Sequence, residues 1–135
     1  MNGNGVDGSV DMRSARVLVV DDNAILLRTV KDMLADDFHV SIAISGAQAF
    51  MSIAKHKPDV IVLDYEMPIV DGEEVFQLLR EDEKSRDIPV IFLTASADRD
   101  VVTRLVSLNP EGYMLKPPNK QKMIDMIRSI LAKKK

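Results

Sequence analysis

Val60-Ile61-Val62-Leu63-Asp64 is the stretch on which the reading of this chain turns. Four apolar residues in a row, three of them branched at Cβ, favour a strand. A strand apolar on both faces is one covered from both sides, as in a parallel sheet under helices. The run stops at a carboxylate. The same design recurs outward in both directions. Val17-Leu18-Val19-Val20 stops at Asp21-Asp22-Asn23, Val90-Ile91-Phe92-Leu93 at Thr94, and Tyr113-Met114-Leu115 at Lys116-Pro117-Pro118. His39-Val40-Ser41-Ile42-Ala43-Ile44 is also strand-like and leads into Ser45-Gly46.

Between these runs the apolar residues recur at helical spacing. The stripes are Leu26, Leu27, Val30, Met33, Leu34; then Ala49, Phe50, Ile53, Ala54; then Val75, Leu78, Leu79. Val101, Val102, Leu105, Val106 and Leu108 mark a fourth helix, and Met123, Ile124, Ile127, Ile130 and Leu131 a fifth. Strands alternating with helices imply an α/β fold with a parallel sheet and right-handed crossovers. Residues 1–14 are rich in Gly, Asn, Asp and Ser without periodicity, which reads as a flexible lead-in. Residues 15–135 are then a single domain, of ordinary size for 135 residues in all.

Composition removes several functions. There is no cysteine, so disulfides, thiolate metal sites and a cysteine nucleophile are excluded. A net charge of −3 argues against direct nucleic-acid binding, which favours a clustered basic surface. No apolar run approaches the ~20 residues that span a bilayer. The start, Met1-Asn2-Gly3-Asn4-Gly5, lacks the basic and apolar segments of a secretion signal, so a cytoplasmic location without membrane attachment is expected. The first strand is not followed by a Gly-rich loop, which argues against a nucleotide-binding enzyme.

In open α/β sheets, ligands bind beyond the carboxyl ends of the strands. Asp21, Asp22, Asp64, Thr94 and Lys116 all sit there. Each has an ordinary reading by itself. Asp22 and Asn23 precede a helix and suit N-caps; Asp64 ahead of Asp71-Gly72 suits turn chemistry; Thr94 suits a strand end; Lys116 suits the surface. Four strand ends all carrying such groups is an improbable coincidence. Clustered carboxylates raise one another's pKa unless a cation sits among them, and hard oxygen ligands shared with a phosphate suit Mg²⁺. Lys and Thr can hold phosphate oxygens, and an Asp can be the nucleophile that forms an aspartyl-phosphate.

These residues carry a resemblance. Val20-Asp21-Asp22-Asn23, Leu63-Asp64-Tyr65-Glu66-Met67-Pro68 with Asp71-Gly72, Leu93-Thr94-Ala95 and Tyr113-Met114-Leu115-Lys116-Pro117 resemble, in order and spacing, the response-regulator receiver domains of two-component signalling. The likeness runs from about Arg16 to Leu131. It implies a doubly wound five-stranded sheet in the order 2-1-3-4-5, the flavodoxin-like or CheY-like (βα)5 fold. It implies Asp64 as phosphoacceptor. It implies Mg²⁺, replaceable by Mn²⁺, held by Asp22, Asp64 and the backbone carbonyl of Glu66, with Asp21 acting through metal-bound water. Lys116 and Thr94 would bind phosphoryl oxygens, and Lys116-Pro117 would be a cis peptide. Glu66 and Ser96 fall at places that influence the lifetime of the phosphoryl group. Leu108-Asn109-Pro110-Glu111-Gly112 departs from the family's Gly-Ala pair, which leaves the fourth helix and the approach to Tyr113 open.

The resemblance also implies a switch. Thr94 is drawn toward the phosphoryl group and Tyr113 turns inward behind it; the alternative is that Tyr113 is a plain core aromatic. The readout surface is expected on helix four, strand five and helix five, where Val101, Val102, Leu105, Val106, Leu108, Met123 and Met126 exceed one buried stripe. Excess apolar surface marks partner sites, although methionine also fills core gaps. The expected donor is a sensor histidine kinase or a histidine phosphotransfer protein, docked at the start of helix one beside an exposed Ile25 and at Pro117-Pro118. The expected recipient is a downstream protein or output domain, with a homodimer through helix four, strand five and helix five as a further expectation. His39 and His56 read as surface residues, not ligands, and Lys133-Lys134-Lys135 as charges suited to a helix C-terminus. The chain is expected to be a self-phosphorylating and autodephosphorylating switch instead of a turnover enzyme. Two readings compete: a pseudo-receiver that binds partners without phosphorylation, and an aspartate-nucleophile phosphohydrolase, which needs an Asp-x-Asp where this chain has Asp21-x-Asn23.

Overall fold

The structure is a computed structural model that describes residues 14–67 and 71–133. The lead-in expected over residues 1–14 therefore lies outside the described residues apart from Ser14, as do Pro68, Lys134 and Lys135. The chain alternates strictly: β1 Arg16–Val20, α1 Ala24–Leu34, β2 His39–Ala43, α2 Gly46–Lys55, β3 Val60–Asp64, α3 Gly72–Glu81, β4 Val90–Thr94, α4 Arg99–Ser107, β5 Gly112–Leu115 and α5 Lys120–Lys133. The strands form one sheet in the order β2-β1-β3-β4-β5, with every pairing parallel. This is the doubly wound order 2-1-3-4-5.

Why the central strands are apolar throughout is visible in their packing. Side chains alternate between faces along a strand. In β1, Leu18 and Val20 join Ile61, Leu63, Phe92, Val75, Leu79 and Leu105 in one cluster. Val17 and Val19 join Val60, Val62, Ile91, Leu27, Val30 and Ile127 in another. So α2, α3 and α4 cover one face, and α1 and α5 the other. All five positions of β3 and of β4 are buried. Each fully buried large aliphatic or Phe contributes roughly 1.5–3 kcal/mol over an exposed one, which makes the centre of the sheet the rigid part of the molecule.

The helix starts are set by side-chain caps. Asn23, Ser45, Asp71 and Asp98 each accept a backbone N–H from the first turn of α1, α2, α3 and α4. The tight entry to α3 depends on Gly72. A Cβ there would lie 2.2 Å from the carbonyl oxygen of Asp64 and 2.7 Å from Tyr65 Cα, so only glycine lets the helix begin against the end of β3.

Several expectations need correction. The α3 stripe is Val75, Phe76 and Leu79; Leu78, expected inside, is 48% exposed. Leu78 lies three residues from Val75, but the buried face leans the other way to meet Phe92 through Phe76. Met123, counted toward a partner surface, is fully buried core. β2 ends at Ala43, and Ile44, expected to extend it, is exposed. The departure at Leu108-Asn109-Pro110-Glu111 leaves α4 intact. Leu108 caps it, and Asn109 takes φ 61°, a left-handed conformation that asparagine tolerates where most residues do not.

Candidate functional site

The sheet order sets the ends of β1, β3, β4 and β5 in sequence along one edge. Asp64 is paired in register with Leu93, and Thr94 with Leu115, so the residues that follow β4 and β5 flank the end of β3. Asp21 follows β1 directly and is buried, as are Asp64 and Thr94. Asn23 does the capping of α1, its Oδ1 accepting from Ile25 and Leu26 at 3.0 and 3.1 Å, which leaves the exposed Asp22 unused as a cap.

Lys116 reaches back from beyond β5 and donates from Nζ to Asp64 Oδ1 at 2.8 Å. The same ammonium lies 3.3 Å from Asp21 Oδ2, an ion-pair contact; that oxygen is buried and has no hydrogen-bond partner among the described residues. Asp21 Oδ1 accepts from the amide of Asn23 at 2.9 Å, and Asp64 Oδ1 from the amide of Glu66 at 3.1 Å. The Lys116–Pro117 peptide is cis.

Charge balance at the site is incomplete. Burial pushes the Asp64 carboxyl up from 3.8 to about 7; the Lys116 hydrogen bond opposes this, and the nearby Asp21 charge adds to it. Burial pulls the Lys116 ammonium down, but its hydrogen bond to Asp64 and the charges of Asp64 and Asp21 outweigh that and leave it raised. Oxygens of Asp21, Asp22 and Asp64 all lie within 4.8 Å of one another. Among the described residues, one ammonium paired with Asp64 and Asp21 leaves negative charge over in a cluster of three carboxylates, and Asp21 Oδ2 adds a buried oxygen without a hydrogen bond. An all-oxygen donor set with spare negative charge fits a hard divalent cation such as Mg²⁺.

The second half of the site is a hydrogen-bonded cluster around Thr94. Its hydroxyl donates to Glu66 Oε2 at 2.5 Å, while Glu66 Oε1 accepts from the amide of Ala95 at 2.9 Å. Thr94 Oγ1 in turn accepts from the amide of Ser96 at 3.2 Å, and Ser96 Oγ from the amide of Asp98 at 3.0 Å. Asp21, Asp22, Asp64, Glu66, Thr94, Ser96 and Lys116 are thus gathered at one edge. Tyr113 stands apart on β5, 38% exposed. Ile25 is 80% exposed at the start of α1, and His39 and His56 are exposed. Of the residues expected on the readout surface, Val106 and Leu115 are exposed, Val101, Val102, Leu108 and Met126 are half-buried, and Leu105 is core.

Two arrangements escaped the sequence reading. Tyr65, next to Asp64, packs edge-on against Phe92, and its hydroxyl donates to Glu73 Oε1 at 3.2 Å. Glu73 also pairs with Arg104 of α4, which holds the Glu73 carboxyl below its usual range. The second is Glu111, whose Oε1 accepts from the Val90 amide and from Arg80, both at 2.7 Å. A Glu in the first turn of a helix or just before a strand is common, so neither position carried a signal.

A family model described as the response regulator receiver domain matches residues 17–128. The chain belongs to the response regulator receiver domains. Its sequence is 34% identical over 116 residues to the polar-differentiation response regulator DivK of Brucella ovis, covering 85% of this chain and 94% of that protein. It is 33% identical over 119 residues to the ycf29 protein of Porphyra purpurea, covering 87% of this chain. The receiver domain spans 57% of that relative, and only 12% of the sensor histidine kinase TmoS of Ectopseudomonas mendocina. The chemotaxis protein CheY4 of Vibrio cholerae superposes with a TM-score of 0.79 at 25% identity, covering 87% of this chain and 98% of that one. Among the described residues, no helix is long and apolar enough to cross a membrane.

Proposed function

We propose that this receiver domain accepts a phosphoryl group on Asp64 and uses it to reset the surface formed by α4, β5 and α5. One observation carries the reading: the buried Asp64 carboxylate is held by Lys116 at 2.8 Å, with carboxylate oxygens of Asp21 and Asp22 close by. Asp64, Asp22 and the Glu66 backbone carbonyl would hold Mg²⁺, with Asp21 acting through bound water and Mn²⁺ an acceptable substitute. The ion, when bound, supplies positive charge against the phosphoryl oxygens and the acceptor carboxylate.

An Asp64 oxygen attacks phosphorus, the new P–O bond forming as the P–N bond of a phosphohistidine breaks, and the imidazole keeps the electron pair. Lys116 follows the charge from carboxylate to phosphoryl oxygen. Thr94 supplies a hydroxyl donor from the adjoining strand end. The fixed positions of these groups, on buried strand ends, are the main contribution that a protein makes to phosphoryl transfer. Ser96 and Glu66, both within the Thr94 cluster, set how readily water reaches the aspartyl-phosphate. The domain changes its own state, and hydrolysis of the aspartyl-phosphate returns it to the start with release of phosphate, so it acts as a switch and not as a turnover enzyme on an outside substrate.

The partner reading has separate support. Histidine kinases are among the proteins that this receiver resembles, and an exposed Ile25 beside Asp22 offers a docking point for a phosphohistidine domain. Tyr113, Leu115 and Val106, all exposed, give β5 and α4 an apolar surface for a downstream protein or for a second copy. A cytoplasmic location accords with a kinase partner that phosphorylates inside the cell.

The test is Mg²⁺-dependent phosphorylation by a small phosphodonor, comparing the native chain with Asp64→Asn. Uptake by the native chain alone is expected. Equal labelling of both, or none of either, would refute the acceptor assignment. Light scattering with and without a beryllofluoride adduct checks dimerisation, and an unchanged mass removes the homodimer.

A further inference from the structure

The Thr94 hydroxyl has a single proton, and Glu66 already holds it. A hydroxyl has one donor and two acceptor lone pairs. In Thr94 the donor goes to Glu66 Oε2 at 2.5 Å and one lone pair takes the Ser96 amide at 3.2 Å. Thr94 is wholly buried, so no bulk water stands ready to take over. The other oxygen of the same carboxylate holds the Ala95 amide at 2.9 Å. A carboxylate with one oxygen on an O–H and the other on an adjacent N–H occupies these donors as a phosphoryl group would. It does so within the cluster that adjoins Asp64: Glu66's own amide is bonded to Asp64 Oδ1 at 3.1 Å.

We infer that the Glu66 side chain is an internal competitor for the phosphoryl group: it occupies the Thr94 and Ala95 donors in the resting domain and has to be evicted when Asp64 is loaded. This rests on Asp64 being the acceptor. It concerns how hard the domain is to switch on, which is separate from how long it stays on.

The competition has a physical basis in both charge and donor count. An aspartyl-phosphate brings ≈ −1.5 to −2 charge and three acceptor oxygens. Lys116 can serve one of them, leaving the Thr94 hydroxyl and the Ala95 amide as the neighbouring donors at the end of β4. These cannot serve two anions at once, and the two anions repel. Residue 66 is exposed, so a displaced carboxylate enters solvent and needs no new partner. The loss on switching is therefore that of two charge-assisted hydrogen bonds, remade with the incoming group. Glu66 acts through Thr94 and Ala95, so it is a positioning residue for the switch.

The experiment measures the affinity for beryllofluoride, at saturating Mg²⁺, of the native chain, Glu66→Gln and Glu66→Ala. Removing the competitor is expected to tighten binding roughly tenfold in Glu66→Ala, about 1.4 kcal/mol, with Glu66→Gln between it and the native chain. The readout independent of loading is the Ala95 amide proton by NMR. In the unloaded native chain it should have the downfield position of an amide bonded to a carboxylate, and in unloaded Glu66→Ala it should move upfield. If either variant is poorly folded, the other still decides. Native-like affinity in both substitutions overturns the inference while leaving the acceptor assignment standing. Folded chains that take up no beryllofluoride, native included, overturn both.

Discussion

A Cβ placed on Gly72, at the end of β3, meets backbone: the Asp64 carbonyl oxygen at 2.2 Å and Tyr65 Cα at 2.7 Å. A Cβ placed on Gly112, at the start of β5, meets only the flexible Met126 side chain, its sulfur at 2.8 Å. The same contrast runs through both regions. At the β3 end Asp64 is buried, and its neighbours are fixed by strand register and by Gly72. At the β5 edge Tyr113 and Leu115 are 38% and 43% exposed, so each side chain is partly free of packing. The acceptor role proposed for Asp64 suits backbone that does not yield, since it requires one oxygen to be presented to a reacting phosphorus. The readout role proposed for the β5 edge suits a place where side chains can give. The difference between the two regions is thus one of stiffness, and substitutions can test it.

Gly72→Ala should have the largest effect. The methyl cannot coexist with the Asp64 carbonyl, so α3 or the acceptor loop has to shift, at a cost of about 3 kcal/mol or more. Chemical denaturation with a two-state fit checks this; a loss below about 1 kcal/mol would mean that the acceptor end is no stiffer than the β5 edge.

Asp64→Asn should act in the opposite direction in metal-free buffer. The folded carboxyl, raised to about 7 from 3.8, binds its proton more tightly than in the unfolded chain. Stability from this group is therefore complete at low pH and declines as pH rises from about 4 to about 7. At pH 8 in chelator, Asn at this position should stabilise by on the order of 2 kcal/mol, since each pKa unit is about 1.4 kcal/mol and Lys116 loses its partner. Thermal melts across that pH range, with and without Mg²⁺, measure it. Identical melts for native and Asn chains at pH 8 in chelator would show that Lys116 already compensates the buried charge.

Glu111→Ala sharpens the comparison between the two ends of β4. It leaves the Val90 amide without its 2.7 Å acceptor and removes one of the acceptors of Arg80, which keeps its bonds to the Arg86 and Ile88 carbonyls. The expected cost is about 1–2 kcal/mol, read in the same denaturation series, with little change in phosphoryl uptake because Glu111 sits at the opposite end of the sheet from Asp64. A loss of uptake out of proportion to stability would mean that the β5 entry is coupled to the site. Gly112→Ala should cost least, under about 1 kcal/mol, because Met126 can change rotamer. A cost equal to that of Gly72→Ala would erase the contrast between stiff and yielding edges.

The legibility of the site in the sequence follows the same physical division. Asp21, Asp64, Thr94 and Lys116 were readable because a strand places its terminal residue at one edge whatever the side-chain details, and four apolar runs each ending in a polar group locate four such points. Leu78, expected inside, lies outside because α3 offers it and Phe76 as apolar residues on adjoining faces, and packing against Phe92 selects the face that carries Phe76. Met123 was ambiguous because methionine serves core and surface equally, until its burial beside Ile124 and Ile127 was visible.

Local periodicity and strand-end chemistry, written in the order of the residues, determined the α/β class, the parallel sheet and the candidates for the acidic edge. What the tertiary structure alone decided were the partners of polar side chains on other elements: the Glu66 carboxylate on the Thr94 hydroxyl and the Ala95 amide, Tyr65 and Arg104 meeting at Glu73, and Arg80 and the Val90 amide sharing Glu111. The reason is geometric. Burial pattern constrains a residue through its immediate neighbours, whereas a polar side chain several bonds long selects its partner only after the sheet order has fixed which strand ends are adjacent.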